Sequence, residues 1–550
     1  MRKIHKIWIL PISILLVITS LSFTNPGERY FEIAKNLDIF ATLFKEVNAL
    51  YVDEVNPNTT IKIGIDAMLN SLDPYTNYIP EDDIEDFRTQ STGQYGGIGA
   101  LTSKIEGKIK IVMVMEGYSA QKNGLKIGDE VLKIDGIDIT NLDREQASDL
   151  MKGQANSDVS ITVKRFNEPY PITLNFKREK VKIHNVPYFG MVSSDIGYLK
   201  LSEFTIDAGK EVRNAVSKLK AEGAKKIILD VRGNPGGLLM EAVNITNVFL
   251  PKGKEVVATK GKIEDNNQSY KTLNQPVDID IPLVVLINSG SASASEIVAG
   301  TIQDYDRGVV IGQKSFGKGL VQITRPLTYN AQLKVTTAKY YTPSGRCIQA
   351  LDYTHRNEDG SVGKVPDSLK AEFKTAHGRS VFDGGGIDPD ITVEKESLSP
   401  IAYTLYTKGF IFDFGTEYYY GHPTIADAKS FKLTDQEYEN FKQWLKGKDY
   451  SYSTRVENNL KNLEDNAKKE KYYDDIKTHL EELEGTLKLS KANDLDDFKS
   501  QIKALLEEDI TSRYYLERGS IESSFDADDD IIEAMKILND KEKYKKILKL

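Results

Sequence analysis

The strongest constraint on the fold is a pattern that occurs twice: an apolar run, a loop of small residues, then a helix-forming stretch. Ile227-Ile228-Leu229-Asp230-Val231 leads into Arg232-Gly233-Asn234-Pro235-Gly236-Gly237. Leu283-Val284-Val285-Leu286-Ile287-Asn288 leads into Ser289-Gly290-Ser291-Ala292-Ser293-Ala294-Ser295-Glu296. Short runs this apolar read as buried strands, and strand alternating with helix from about residue 182 to 393 reads as an α/β core. If the two strands share one sheet, both following helices open at the same edge, and their free N–H groups face one volume able to hold a developing oxyanion.

The rest of the 550 residues cannot belong to that one core, because at roughly 150 residues per domain the chain holds about three or four units. With Lys+Arg 72 against Asp+Glu 81 and a net charge of -9, the molecule lacks the basic field that drives phosphate binding, so nucleic acid is excluded as the expected partner. The single cysteine, Cys347, allows no internal disulfide, and the six histidines form no His-Glu-x-x-His pattern. Neither a metal nor an organic cofactor is expected.

Five regions follow. Residues 1–24 begin with Arg2, Lys3 and Lys6 and run apolar to Phe23, which reads as an export signal or a membrane anchor. Residues 25–92 show apolar positions at helical spacing and a stop at Asp73-Pro74. Residues 93–181 form a compact, mostly β module with one helix near Arg144 to Met151. Residues 182–396 are the α/β core, with 346–383 as a possible insertion. Residues 397–550 carry mixed charge with leucines in helical arrays, a charged helical domain whose surface reads as solvated.

Capping the helix after Asn288 needs one serine, yet three are present, and Ser293-x-x-Glu296 alone matches a capping box. A serine at a helix start gains nucleophilicity only beside a base. Lysine can be that base when burial disfavours its ammonium form. Lys318 lies between two glycines in Gly312-Gln313-Lys314-Ser315-Phe316-Gly317-Lys318-Gly319, and Gln322, four residues on, could orient its amine. The near match of this stretch to a phosphate-binding loop fails at Gly319, where a Ser or Thr is needed, and Leu320 to Pro326 reads as a strand rather than the required helix.

These segments together resemble the carboxyl-terminal processing, or tail-specific, proteases: serine peptidases with a Ser-Lys dyad and a PDZ domain. Ser293 is the middle serine of a Ser-Ala-Ser-Ala-Ser-Glu run, and Lys318 follows 25 positions later in Phe-Gly-Lys-Gly. The resemblance implies Ser293 as nucleophile, Lys318 as general base with Gln322 beside it, and an oxyanion hole from Ala294 and either Gly236 or Gly237. It implies a crotonase/ClpP-like layered α/β peptidase core with an inserted β-rich PDZ domain and helical N- and C-terminal regions. Asp304, in Gln303-Asp304-Tyr305, is expected to be structural.

Tyr95-Gly96-Gly97-Ile98-Gly99 fits the PDZ loop that binds a terminal carboxylate, and an adjacent open strand edge can add an extended peptide. The expected partners are proteins or peptides with free, apolar C-termini, the expected compartment is the periplasm or cell envelope, and a homo-oligomer through the flanking helices is compatible with the pattern. Two alternatives stay open: a non-catalytic PDZ scaffold of the envelope, and a serine hydrolase with His184 or His355 as base.

Overall fold

A computed structural model describes residues 26–357, 359–394 and 397–550; residues 1–24, expected to be an export signal or membrane anchor, lie outside them. The chain divides into two units, Met1–Tyr78 and Ile79–Leu550. In the first, helices Pro26–Leu50 and Pro57–Asn70 form, the second starting where the Asn56 side chain accepts the N–H groups of Asn58 and Thr59.

The second unit holds the PDZ-type module, the α/β core and the C-terminal helices. The module's main sheet runs Ala100–Ile105, Lys108–Val114, Glu130–Ile134, Asp158–Lys164, Ile172–Lys177, which leaves Ala100–Ile105 as an edge strand. Helix Arg144–Met151 lies beside that edge, started by a complete capping box between Asp143 and Gln146. A separate antiparallel ribbon of Gln94–Gly97 with Glu179–Lys182 closes the module where the chain enters and leaves it.

The core sheet has six strands in the order Tyr188–Met191, Ile196–Lys200, Lys226–Asp230, Leu283–Ile287, Val309–Gly312, Ile391–Thr392. The two apolar strands are parallel neighbours, with Asp230 opposite Leu286. Because side chains alternate across a strand, Ile227 and Leu229 enter one hydrophobic layer and Ile228 the other; Val285 and Ile287 likewise oppose Val284 and Leu286. The first layer is filled by helices Ala208–Ala221, Leu239–Thr246 and Ala294–Asp304. The second is filled from the far end of the sequence, by Phe525 and by helices Asp529–Asn539 and Lys541–Leu548. Tyr544 fixes that contact, its hydroxyl donating to the Leu283 carbonyl at 3.1 Å and accepting the Leu283 N–H at 3.0 Å.

A second, antiparallel sheet brings Leu320–Pro326 against Gln332–Tyr341 and the latter against Glu255–Gly261. Leu320–Pro326 is thus a strand, so the Lys318 loop leads into a hairpin and not into a phosphate-binding helix. Residues 351–382 form two small hairpins, Leu351–Arg356 with Val362–Lys364 and Glu372–Lys374 with Ser380–Phe382. Further on, Pro400–Thr407, Phe410–Gly421, Asp435–Trp444 and the first part of Lys499–Ser523 share a hydrophobic core of their own.

Candidate active site

The parallel register puts the loops after Asp230 and after Ile287 side by side, and hydrogen bonds from both side chains and main chain then lock them. The Asn288 carboxamide oxygen accepts the N–H groups of Gly233 and Gly290, both at 2.9 Å. The Asn234 carbonyl accepts the Ala292 N–H at 3.0 Å and the Ser295 hydroxyl at 2.9 Å. Glycine is required at 236, where φ is +95° and an added Cβ would stand 2.8 Å from the Ala294 nitrogen and 2.6 Å from the Ala292 oxygen. The two loops therefore touch through bare backbone at the start of helix Ala294–Asp304.

Which of the three serines is available for chemistry is decided here. Ser291 and Ser295 are fully buried, and their hydroxyls donate to the carbonyls of Val231 and Asn234. Ser293 is half-buried and holds φ 54°, ψ −110°, a region L-residues avoid. Such strain persists where surrounding bonds over-determine it, and Ser293 has two: its N–H donates to Glu296 at 2.8 Å and its carbonyl accepts the Tyr340 hydroxyl at 3.2 Å.

Glu296 is the centre of the arrangement. It is 0 % exposed, yet its carboxylate accepts four donors. Oε2 takes the main-chain N–H of Ser293 at 2.8 Å and of Lys318 at 2.9 Å; Oε1 takes the Ser315 hydroxyl at 2.5 Å and the Gly317 N–H at 2.7 Å. Because two legs of 2.8 and 2.9 Å meet on one oxygen, the amide nitrogens of Ser293 and Lys318 lie within about 6 Å of each other. Burial pushes the Glu296 carboxyl above its ordinary range, and the Ser315, Lys318, Gly317 and Ser293 donors offset only part of that. The sign follows: a raised carboxyl binds its proton more tightly folded than unfolded, so the charged form costs stability at neutral pH and acidification through the raised value relieves it. What acid takes away instead is acceptor capacity, because a protonated carboxyl can no longer serve four donors. Glu296→Gln, whose amide nitrogen meets donors that the carboxylate accepted, should therefore cut turnover about 100-fold through misplacement of the two loops. Steady-state rates on a protein substrate, with circular dichroism to show the fold kept, measure this.

The Lys318 loop has further ties: the Gly319 N–H donates to Gln349 Oε1 at 2.8 Å and the Ala350 N–H to the Gly317 carbonyl at 2.9 Å. Lys318 itself is half-buried. Gln322 stands opposite Thr336 in the hairpin, and its amide nitrogen donates to the Thr336 hydroxyl at 3.0 Å. Of the two glycines, Gly236 is buried and its N–H donates to the Asn234 carboxamide at 2.9 Å, whereas Gly237 is exposed. Asp304 is buried with Arg346, 2.8 Å away, and also accepts the Ser344 N–H. His355 is 86 % exposed and faces Asp352, and His184 lines a cavity beside the PDZ-type module. Residues 94–97 are the ribbon strand; the carbonyls of Gly96, Ile98 and Gly99 accept the N–H groups of Gly153, Ala120 and Met115.

Sequence reasoning had Glu296 only as a helix cap, since the loop it holds is 22 residues away. It also missed Arg232. That guanidinium contacts Asp230 at 2.6 Å, Asp528 at 2.8 Å and Asp530 at 2.8 Å, and Asp530 accepts the Gln313 amide at 3.2 Å. Burial would push the Asp230 carboxyl up, but the Arg232 charge and hydrogen bonds outweigh it and hold it below its usual value. The C-terminal helices therefore pin the root of the glycine loop.

Comparison with known proteins follows the same division. Residues 195–355 match peptidase family S41, residues 110–165 a PDZ domain, and residues 401–538 the C-terminal helical domain of probable PDZ-proteases. The carboxy-terminal-processing protease of Bartonella bacilliformis is 37 % identical over 346 residues, 62 % of this chain and 78 % of that protein. A probable CtpA-like serine protease of Staphylococcus aureus is 33 % identical over 381 residues, 69 % of this chain and 74 % of that one. Among solved structures, a photosystem II D1 C-terminal processing protease aligns with 25 % identity and a TM-score of 0.35, covering 66 % of this chain and 93 % of its own.

Proposed function

The chain belongs to the carboxy-terminal-processing protease family of S41 serine peptidases with a PDZ domain, and we propose that Ser293 is its nucleophile and Lys318 its general base. It is a carboxy-terminal processing endopeptidase, and its substrates are proteins or peptides. The observation that carries the dyad is the single Glu296 oxygen that accepts the main-chain N–H of both residues, which supports side chains meeting over one volume.

In this reading the neutral Lys318 amine takes the Ser293 hydroxyl proton as Oγ attacks the scissile carbonyl. The tetrahedral oxyanion is held by the N–H of Ala294, at the helix start, and by that of Gly237, which is exposed while the Gly236 N–H is engaged with Asn234. The lysine ammonium then protonates the leaving amine, the C–N bond breaks, and an acyl-Ser293 forms. Water, deprotonated by Lys318, releases the acid and restores the serine. Gln322, paired with Thr336, steadies the strand that carries the lysine loop.

The core sheet, parallel except for its edge strand Tyr188–Met191, carries helices on both faces, which supports the crotonase/ClpP-like layering. The basic start and apolar run of residues 1–24 support export to the periplasm or cell envelope. The open edge strand Ala100–Ile105 beside helix Arg144–Met151 supports capture of an extended substrate tail by β-augmentation. A serine-reactive fluorophosphonate tests the nucleophile: intact-mass analysis should show one adduct on the parent protein, mapped by peptide digestion to Ser293. Labelling elsewhere, or none on an enzyme that cleaves, overturns the assignment.

A further inference from the structure

The helix Lys499–Ser523 is continuous in name only: at Leu516 the backbone takes φ 55°, ψ −142°, outside any helical region. No glycine or proline causes the break. After it the chain folds back so closely that a Cβ on Gly519 would lie 2.3 Å from the Thr511 carbonyl, and the Thr511 hydroxyl donates to the Gly519 carbonyl at 3.1 Å. The Ser520 hydroxyl bonds Glu508 at 2.7 Å across the same reversal. The flanks are anchored too, with the Tyr515 hydroxyl on the Ala426 carbonyl at 3.0 Å and Arg513 on the Phe412 carbonyl at 2.6 Å. A leucine is thus presented at the tip of a hydrogen-bonded bracket, in a conformation better suited to glycine.

Its side chain is not in solvent. Leu516 is half-buried and packs against the hydrophobic core of the PDZ domain. It lines a cavity of about 1150 Å³ that is also lined by Ile98 of the glycine loop, Ala100 and Leu101 of the edge strand, and Ser148 and Met151 of the helix beside it. Strand edge, glycine loop and helix are the three surfaces between which an extended peptide adds to this sheet, with pockets for its side chains. The apolar residue in that space lies more than three hundred and fifty positions beyond Met151, in the C-terminal helical domain.

We propose that the protease carries its own occupant for the peptide groove: Leu516 sits where the last apolar side chain of a substrate tail binds, so that a tail is captured only by displacing the bracket 514–518. The inference rests on capture of substrate tails by this PDZ domain, and adds that the groove is closed to weak ligands by the C-terminal helical domain. An occupant held in nine molecules of ten lowers the apparent affinity of a competing tail about tenfold.

The test uses the full-length Ser293→Ala protein and a fluorescein-labelled ten-residue peptide ending in Ala-Ala-Leu with a free carboxylate, beside the same peptide as its C-terminal amide. Leu516→Gly removes the side chain and suits the positive φ, so the bracket survives; Leu516→Ala is the second variant. Fluorescence anisotropy should show the carboxylate peptide binding about tenfold tighter to both variants than to the parent. In the parent, saturating peptide should speed hydrogen exchange at residues 514–518. Unchanged or weaker binding to both variants, or slowed exchange, makes Leu516 a fixed wall of the groove and overturns the proposal. Equal binding of acid and amide, or binding of neither to any of the proteins, overturns tail capture itself and the inference with it.

Discussion

Lys318→Ala and Ser293→Ala should each lower kcat on a tailed protein substrate by about 10⁴-fold or more, and the double variant should be no worse than either alone, because a nucleophile and its base act as one unit. Lys318→Arg should not restore activity, since a guanidinium stays protonated in water and presents a planar fork where a point amine is needed. All four variants should keep the parent's far-UV spectrum and melting temperature: the main-chain N–H groups of both positions remain to bond Glu296, and neither side chain is part of the hydrophobic layers. A Lys318→Ala enzyme that cleaves near the parent rate would falsify the dyad. A His184→Ala or His355→Ala enzyme that loses all turnover would point to an imidazole base instead, against the exposed position of His355 on Asp352.

Much of this was readable in the chain before any coordinates. Ile227 to Leu229 and Leu283 to Ile287 are apolar at odd and even positions alike, and a strand with two apolar faces has only a buried place to go. If they shared one sheet, the two small-residue loops would open at one edge, and the parallel register meets that condition. Choosing Ser293 among three serines needed the resemblance to a known family; the physical reason, that Ser291 and Ser295 spend their hydroxyls on carbonyls, is tertiary. Glu296 was visible only as a cap, because a local pattern cannot reveal a partner loop 22 residues on. Arg232 and Asp530 are 298 residues apart, and no local pattern pairs them. The break at Leu516 has no sequence signal, since Tyr514-Tyr515-Leu516-Glu517-Arg518 suits a helix and the reversal is imposed by packing. The same limit hid the role of the last helices, whose apolar stripe of Ile531, Ala534, Leu538, Tyr544 and Leu548 is interleaved with lysines and acids that suggest solvent.

That stripe yields the other large effect. A chain ending at Ser524 should fail to give a cooperatively folded protease, although it retains every residue assigned to chemistry. Without the last helices one whole face of the core sheet, with Tyr198, Ile228, Val284, Leu286 and Ile311, would meet water. The lost partners are Phe525, Ile531, Ala534, Ile537, Leu538, Tyr544 and Leu548. Burial of each large member of that set contributes about 1.5–3 kcal/mol, and together they rival the whole stability of about 5–15 kcal/mol that a folded domain has to spare. A graded version separates packing from charge. Phe525→Ala, which removes a ring 5.2 Å from that of Tyr198, should cost about 3–5 kcal/mol and shift the denaturant midpoint without altering substrate affinity. Replacing Asp528 and Asp530 together by Asn should do the reverse in emphasis: the layer stays packed, but Arg232 keeps only Asp230, and the glycine loop rooted between them loses its outer brace. Turnover should then fall more steeply than the midpoint moves. If the chain ending at Ser524 instead melted like the parent and cleaved at the parent rate, the C-terminal helices would be a solvated appendage and the second hydrophobic layer would not be holding the sheet.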